Sequence, residues 1–170
     1  MRDDPRPITL YGTPVLHTRC AEVTSYDDSV AELVQQMFEA MYAADGIGLA
    51  ANQIGVGLRI FVYDCPNETD DDRSAGHMVN PVIAAPKGRS HRVVDSEGCL
   101  SVPGPFADLP RADTATVTGF DCSGRPVAVR ATGLLARCFQ HEVDHLDGVV
   151  YVDRLSGKRR KAVLAAAGLS

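Results

Sequence analysis

No run of apolar residues in this 170-residue chain approaches the roughly 20 that a helix needs to cross a bilayer. The first ten residues, MRDDPRPITL, also lack the apolar core of a signal peptide. The chain also has no excess of basic residues, since it contains 17 lysines and arginines but 22 aspartates and glutamates, which gives a net charge of −5. That balance argues against nucleic acid, including DNA, as the main ligand. These absences predict a cytoplasmic protein without a membrane partner.

Cysteine is too sparse and too scattered for a disulfide framework, because the chain has five cysteines, an odd number, at irregular spacing, and we expect it to have no leader. We expect most of them to be reduced and buried, which leaves one available as a thiolate metal ligand. The five are Cys20, Cys65, Cys99, Cys122 and Cys138.

The length and composition predict a single domain over residues 1–170, with 45% hydrophobic and 23% charged residues. Apolar residues at steps of three and four predict a helix over 28–44, after a segment broken by prolines and glycine. Asp27 and Asp28 favour the start of this helix through capping and the helix dipole. We expect 65–77 to be a polar surface loop or hairpin tip with solvated aspartates, and Pro81 to keep its strand near a sheet edge. Strands in the middle and helices at both ends indicate an α+β fold. The predicted strands cover 58–64, 78–86, 90–94, 114–121 and 125–131, the last two as a hairpin.

The most informative segment is TGLLARCFQHEVDHLDG, which starts at Thr132 and ends at Gly148. We predict a helix in which the Thr132 hydroxyl caps the first turn and Gly148 takes the left-handed position past the end. Residues four apart share a helix face, so His141 and His145 can bind one metal ion, with Glu142 close to a bound water. The alternative is a pair of hydrogen-bonded histidines on an ordinary helix.

A catalytic metal site of this kind needs a third protein ligand and one open position. Tyr151 stands where some His-Glu-x-x-His proteases place a third histidine, and no glutamate follows the pattern. Asp153 is a downstream carboxylate that stays possible, and Cys138 lies upstream on the face of the histidines. A single straight helix rarely wraps three side chains round one ion, so spacing favours Cys99, which follows Gly98 in a separate segment, over Cys138.

The segment GIGLAANQ (46–53) matches the dinucleotide-binding fingerprint G-x-G-x-x-A. We interpret this match as a decoy, because the fingerprint follows a strand and opens a helix, whereas this segment follows a helix and runs toward a strand. Its glycines either serve tight turns or let a substrate backbone approach closely, with Gln53 as the amide aimed at the site.

Three segments taken together resemble the peptide deformylase family: GIGLAANQ (46–53), EGCLS (97–101) and QHEVDHLDG (140–148). Each motif alone is weak, but the three in this order and at these separations are specific. The similarity extends over residues 8–156. It implies an α+β fold with antiparallel or mixed β-sheets packed around a central metal-bearing helix, between an N-terminal helix and a C-terminal helix.

The resemblance also implies the catalytic set. Glu142 is the expected general acid/base, and the side-chain amide of Gln53 and the backbone N–H of Leu100 are expected to hold the developing oxyanion. Glu97 is expected to support the site without binding the metal. One divalent ion per chain is implied, Fe²⁺ by expectation, with Zn²⁺, Ni²⁺ or Co²⁺ as possible substitutes. Its implied ligands are Cys99, His141 and His145, with water in the fourth position.

A substrate pocket follows from the same resemblance. Arg137 differs from the aliphatic residue often found at its position, and we expect it to be a solvated helix residue whose stem covers the pocket mouth. Arg111 is left as either structural or substrate-facing. The implied pocket residues are Leu134, Cys138 and Phe106 near the methionine side chain, and Ile47, Gly48 and Gly98 along the substrate backbone.

The implied activity is that of a metal-dependent hydrolase acting on N-formylmethionyl nascent peptides. It removes the formyl group from the N-terminal formyl-methionine of newly made polypeptides and releases formate. Two alternatives stay open: a metallopeptidase that cleaves peptide bonds with the same helix, and a non-catalytic metal-binding protein.

A basic cluster, KRRK at 158–161, precedes an alanine-rich segment near the C-terminus that we predict to be helical. Four basic residues in a row are compatible with an ordinary solvated helix face. The alternative is a weak contact with ribosomal RNA, through which the enzyme would meet emerging polypeptides.

Overall fold

The structure is a computed structural model that describes residues 4–66 and 73–169. The α-helices in these ranges are α1 (Asp28–Ala43), α2 (Gly133–Leu146) and α3 (Gly157–Ala166). The strands are β1 (Gly48–Ala50), β2 (Ile60–Pro66), β3 (Arg73–Ala84), β4 (Arg92–Cys99), β5 (Val102–Ala112), β6 (Thr114–Phe120) and β7 (Pro126–Thr132). Short 3₁₀-helices cover Pro14–His17, Ala51–Ile54, Arg89–His91 and Tyr151–Arg154.

The strands form two antiparallel sheets. Five strands are joined in the order β1-β2-β3-β6-β7, while β4 and β5 form a separate two-stranded hairpin. With helices before, among and after these strands, the predicted α+β class is confirmed. The predicted hairpin of β6 and β7 is also present, with Asp121–Arg125 hydrogen bonds closing its turn. Across residues 4–66 and 73–169, no helix is both long enough and apolar enough to span a membrane.

Helix α1 begins where its capping residue predicts. The Asp27 carboxylate accepts a hydrogen bond from the Ser29 backbone N–H at 3.0 Å, which satisfies one of the unpaired donors of the first turn. The apolar spacing seen in the sequence forms its buried face, which packs on β1 and β2. The buried residues are Val30, Val34, Met37, Ala40 and Met41.

Helix α2 is the central helix of the fold and packs across the larger sheet. Its Phe139 ring lies 5.6 Å from the ring of Phe61 and 4.9 Å from that of Tyr63, both on β2. Gly148 has a φ of +79° just past the helix end, as predicted. The predicted N-cap is wrong in one respect, because Thr132 occupies the cap position but its side chain makes no capping hydrogen bond.

Two strand predictions need correction. Pro81 does not lie at a sheet edge, since β3 runs between β2 and β6, and the proline falls instead in a register shift between Val79 and Val82. A bulge of this kind tolerates a residue without an N–H donor, and Asn80 beside it has a φ of +50°. The predicted loop 65–77 is shorter than expected because β2 and β3 extend into it, and the aspartates at 70–72 lie outside the described residues.

The strand predicted over 90–94 begins later and is longer than expected, because β4 covers Arg92–Cys99 and a 3₁₀-helix covers Arg89–His91. β5 was not predicted at all, because prolines at 103, 105 and 110 argue against a strand. Within residues 4–66 and 73–169, β5 pairs with β4 alone, so one of its edges has no partner strand. At such an edge a proline, which has no N–H to donate, removes no hydrogen bond of the ladder. All five cysteines are free thiols, as predicted.

Candidate metal centre

Helix α2 places two imidazoles on one face. His141 and His145 are one turn apart, and their Nε2 atoms lie 3.2 Å from each other. The rings meet edge to face, with centroids 4.9 Å apart. Two nitrogen atoms that point at the same small volume from adjacent turns form the start of a metal site.

The third candidate ligand comes from the hairpin. Cys99 is the last residue of β4, just after a register shift that follows Glu97. Its Sγ lies 3.3 Å from His145 Nε2, and the ligand atoms of Cys99, His141 and His145 all lie within 4.8 Å of one another. Separations of 3.2 and 3.3 Å fit the edges of a tetrahedron with metal bonds of about 2.0–2.3 Å.

The two other candidates for the third ligand point elsewhere. The thiol of Cys138 is directed at the carbonyl of Ile47, 3.8 Å away. The Asp153 carboxylate accepts hydrogen bonds from the Tyr11 hydroxyl at 2.7 Å and from the backbone N–H of Val150 at 2.9 Å. The described structure therefore assembles only one of the three candidate sets that the spacing left open.

A buried carboxylate supports the first imidazole. Glu97 Oε1 lies 2.6 Å from His141 Nδ1, so the other ring nitrogen, Nε2, is left facing the metal position. Arg111 donates two hydrogen bonds to the same carboxylate, at 2.6 and 3.0 Å, and a third to Asp144 at 2.6 Å. Burial alone raises the pKa of Glu97, but the His141 and Arg111 hydrogen bonds outweigh it and hold that pKa far below its usual value. Of the two roles left open for Arg111, the structure shows the structural one.

Glu142 has the environment expected of a proton-transfer group. Its side chain is 3% exposed, and Oε2 finds no hydrogen-bond partner among residues 4–66 and 73–169. Burial raises the pKa of Glu142 to about 7. A buried carboxylate oxygen without a protein partner, beside three potential ligands, fits a site completed by an ion and its water.

Gly48 is what makes room for Glu142. A Cβ at position 48 would lie 2.5 Å from Glu142 Oε1 and 2.8 Å from Cys138 Sγ, both too close for real contacts. The close neighbour of Gly48 is therefore helix α2, which carries the histidines, whereas the sequence suggested a tight turn or a substrate backbone.

The Gln53 amide is fixed at both ends. Its Oε1 accepts a hydrogen bond from the Ala50 N–H at 3.0 Å, and its Nε2 donates to Ser101 Oγ at 3.1 Å. The same Nε2 lies 3.6 Å from Cys99 Sγ, so the amide nitrogen faces the candidate metal site. The 3₁₀-helix Ala51–Ile54 holds this side chain 1% exposed.

The N-terminal arm also contributes to the site, which the sequence did not indicate. The Thr9 N–H donates to the Gln53 carbonyl at 2.7 Å, and the Tyr11 N–H donates to the Ser101 carbonyl at 2.9 Å. The arm thus ties the segment carrying Gln53 to the segment after Cys99. Irregular backbone of this kind has no sequence period from which its contacts could have been predicted.

These groups line one cleft with a volume of about 620 Å³. Phe106 is 69% exposed and Leu134 is 38% exposed, so both lie at the rim, and the Phe106 ring covers the position that a Cβ on Gly98 would need. His145 lies behind the cleft wall and is fully buried. The predicted site residues that line the cleft are Ile47, Gly48, Gln53, Gly98, Cys99, Leu100, Phe106, Leu134, Cys138, His141 and Glu142.

Arg137 contradicts the expectation of a solvated side chain. It is 7% exposed and donates hydrogen bonds to Glu97 and to the carbonyls of Val93 and Leu109. The physical reason is its position one turn before His141, on the helix face that must be buried to hold a metal. A spacing of four residues from the first histidine was the signal that could have shown this.

Comparisons with known proteins agree with this geometry. The family model described as polypeptide deformylase matches residues 5–161. The chain is 54% identical over 159 residues to "Peptide deformylase 2" of Streptomyces coelicolor, covering 94% of this chain and 87% of that protein. It is 55% identical over 162 residues to "Peptide deformylase 2" of Streptomyces avermitilis, covering 95% of this chain and 86% of that protein.

Solved structures give the same result at lower identity. A peptide deformylase from Synechococcus elongatus in complex with actinonin has a TM-score of 0.87 at 36% identity, covering 100% of this chain and 90% of that one. A peptide deformylase from Legionella pneumophila has a TM-score of 0.86 at 37% identity, covering 96% and 93%. On the family match, the identity to its relatives and the shared fold, the chain belongs to the polypeptide deformylase family.

Proposed function

We propose that this chain is a metal-dependent hydrolase that removes the formyl group from the N-terminal formyl-methionine of newly made polypeptides and releases formate. The observation that carries the proposal is the convergence of Cys99, His141 and His145 within 4.8 Å, with the buried Glu142 beside them in an open cleft. Membership of the family, whose members remove N-terminal formyl groups, supplies the substrate class. The relatives' names give no support to the alternative of a peptide-bond metallopeptidase.

One divalent ion held by Cys99, His141 and His145 fits the donor set. One thiolate and two imidazoles suit a transition metal far better than a hard cation, which prefers oxygen ligands. Fe²⁺ is the ion we propose, with Zn²⁺, Ni²⁺ or Co²⁺ as substitutes. When bound, such an ion lowers the pKa of water at its open position and polarises a carbonyl oxygen.

Glu142 supplies the proton transfers in this proposal. Its carboxylate takes a proton from the attacking water and passes it to the leaving amine, which becomes the new N-terminus of the peptide. The unpartnered Oε2 supports this role, because a buried oxygen with no protein partner is available to a water. The burial that raises its pKa to about 7 brings that pKa close to the range a general base needs at neutral pH.

The oxyanion that develops on the formyl oxygen needs donors aimed at it. We propose the Nε2 of Gln53, already facing the centre, and the backbone N–H of Leu100. In comparable sites one such donor is worth about 3 kcal/mol of transition-state stabilisation. The position of Gln53 is fixed by two hydrogen bonds. Its side-chain Oε1 accepts from the Ala50 N–H, and its backbone carbonyl accepts from the Thr9 N–H.

The cleft itself supplies substrate binding. We propose that the methionine side chain enters between Leu134, Cys138 and Phe106, whose exposed carbon surface would be covered by it. The substrate backbone would run as an added strand along Ile47, Gly48 and Gly98, which line the cleft.

A formate-release assay tests the function. Protein purified and loaded with metal in the absence of oxygen is mixed with formyl-Met-Ala, with acetyl-Met-Ala and unblocked Met-Ala-Ser as controls. We expect about one ion per chain by elemental analysis, formate from the formyl peptide only, and no cleavage of Met-Ala-Ser. Cleavage of the unblocked peptide would favour a metallopeptidase, and one bound ion without hydrolysis would favour a metal-binding protein.

We further propose that the enzyme is a single domain acting in the cytoplasm and that α3 makes weak contact with the ribosome. The first turns of this helix carry Lys158, Arg159, Arg160 and Lys161. Lys158, Arg159 and Lys161 are exposed, while Arg160 is half-buried beside Asp153. We expect deletion after Ser156 to abolish co-sedimentation with ribosomes at low salt, because phosphate contacts depend strongly on charge.

A substitution separates charge from folding in that experiment. Exchanging Lys158 and Lys161 for glutamine keeps the packing of α3, since both side chains are exposed, and removes two of its charges. We expect this double variant to sediment with ribosomes more weakly than the wild type at low salt, and both to be lost at high salt. Equal sedimentation of the wild type, the double variant and the deletion would end the idea of a ribosome contact through α3.

A further inference from the structure

Arg137 is a buried charge that the proposed mechanism does not use. Its guanidinium donates three hydrogen bonds: to Glu97 Oε2 at 3.1 Å, to the Leu109 carbonyl at 2.8 Å and to the Val93 carbonyl at 2.8 Å. A guanidinium that is 7% exposed is costly to bury unless its donors are paired, and the planar fork of arginine suits several acceptors at once. The arrangement is therefore a built contact rather than a side chain that happens to lie at the cleft.

All three acceptors belong to the β4–β5 hairpin, whereas Arg137 belongs to α2. Val93 and Glu97 lie on β4, and Leu109 lies on β5, so one side chain of the helix reaches both strands. A two-stranded hairpin has marginal stability by itself, and its place against the rest of the molecule depends on such links. The hairpin position is thus coupled to the helix through this guanidinium.

The same two elements carry the candidate metal ligands. Cys99 ends β4, and His141 lies one turn after Arg137 on α2. Any movement of the hairpin away from the helix would change the separation of the thiol from the imidazoles, which is 3.3 Å for Cys99 Sγ and His145 Nε2. Arg137 bridges the two elements close to the point where the ligands meet.

Glu97 is the second part of this link. Its Oε1 lies 2.6 Å from His141 Nδ1. Its Oε2 accepts hydrogen bonds from Arg111 at 3.0 Å and from Arg137 at 3.1 Å. Both carboxylate oxygens are therefore occupied, and the carboxylate cannot rotate without breaking a buried hydrogen bond. Without Arg137, Oε2 would keep one donor and the orientation of the His141 ring would be less constrained.

We propose that Arg137 is a positioning residue that fixes the Cys99 hairpin and the Glu97 carboxylate against α2, and thereby sets metal retention and kcat. The effect on kcat rests on the proposed function, whereas the effect on metal retention does not. A role only in shaping the substrate pocket is the competing explanation, because Arg137 also lines the cleft. That role would change KM and leave metal release unchanged.

The test uses the full chain loaded with Co²⁺, comparing the wild type with Arg137→Leu and Arg137→Lys. Leucine removes all three donors, and lysine keeps the charge but cannot reach three acceptors with one ammonium group. Arg159→Lys is the matched control, because Arg159 also donates to a β5 carbonyl, that of Asp108 at 2.8 Å, but from an exposed position on α3. The readouts are the rate of Co²⁺ transfer to a chelator, the thiolate-to-cobalt absorption band, and kcat and KM with formyl-Met-Ala.

We expect both Arg137 variants to release Co²⁺ about 10- to 100-fold faster than the wild type, as is usual when a support of a metal ligand is lost. We also expect an altered absorption band and a lower kcat with KM within about twofold, while Arg159→Lys behaves like the wild type. A release rate and band equal to those of the wild type in a folded Arg137 variant would overturn the proposal, as would a raised KM with unchanged kcat.

Two further cases are settled by the same design. If Arg137→Leu does not fold, the lysine variant decides alone, with fast release supporting the proposal and wild-type release overturning it. If the metal-loaded wild type frees no formate, the proposed function fails, and the metal-release comparison still decides the role of Arg137.

Discussion

Replacing Glu142 with glutamine should lower kcat for formate release by about 10²–10⁴-fold while one metal ion per chain stays bound. Glutamine has nearly the shape of glutamate, so the tight space opposite Gly48, where no Cβ would fit, remains filled. The three candidate ligands are untouched, but an amide cannot take a proton from water at neutral pH. The loss should therefore appear in kcat at saturating formyl-Met-Ala, with metal content measured on the same sample.

Two companion variants sharpen this result. Glu142→Ala should be equally inactive and also keep its metal, because Glu142 is not among the ligand atoms that converge. Glu39→Gln on the exposed face of α1 should keep wild-type activity, since its carboxylate accepts a hydrogen bond from the side chain of Gln35 on the same helix and does not line the cleft. A kcat within tenfold of the wild type in Glu142→Gln would mean that another group transfers the proton.

Replacing Cys99 with alanine should remove both the metal and the activity. Two imidazoles without the thiolate leave an ion with two protein ligands, fewer than the three that catalytic sites of this kind have. Because Cys99 is only partly buried, the smaller side chain should leave the fold intact, which near-ultraviolet circular dichroism can check. We expect less than one tenth of an ion per chain after dialysis and no detectable formate.

Cys138→Ala is the matched control for that experiment. Both thiols line the same cleft, but the Cys138 thiol points to the Ile47 carbonyl, whereas Cys99 faces the two histidines. The control should keep one ion per chain and change KM for formyl-Met-Ala more than kcat. The opposite pattern, with metal lost from Cys138→Ala and kept by Cys99→Ala, would assign the third ligand to the helix.

Local patterns explain which parts of the fold could be predicted. The α2 helix and its two histidines follow from a period of 3.6 residues within 17 positions, and such a pattern needs no tertiary information. The α1 cap at Asp27 and the left-handed Gly148 are equally local, and both are confirmed. The three motifs identified the family because their order is a property of the sequence alone.

Nonlocal structure explains most of the errors. Spacing favoured Cys99 over Cys138 but could not settle the third ligand, because the choice depends on how the fold returns Cys99, 46 positions before His145, to helix α2. Pro81 was expected at a sheet edge because proline has no N–H to donate to a neighbouring strand. In the structure a bulge in a central strand accommodates it instead. β5 carries three prolines and is a strand only because one of its edges is free of a partner strand.

Charge was the other source of error. Arg137 was expected in solvent because a lone arginine on a helix is usually solvated. The face it shares with His141 is buried to hold a metal, so the arginine needs internal acceptors and finds them on Glu97 and two hairpin carbonyls. A buried carboxylate with several charged donors cannot be recognised from the sequence until the fold brings the partners together.

X-ray absorption at the edge of the bound metal tests the central claim most directly. Anaerobic protein with one ion per chain should give a first shell of one sulfur at about 2.3 Å and two imidazole nitrogens at about 2.0–2.1 Å, plus one light atom from water. A first shell without sulfur, or one with two sulfurs, would contradict the set of Cys99, His141 and His145.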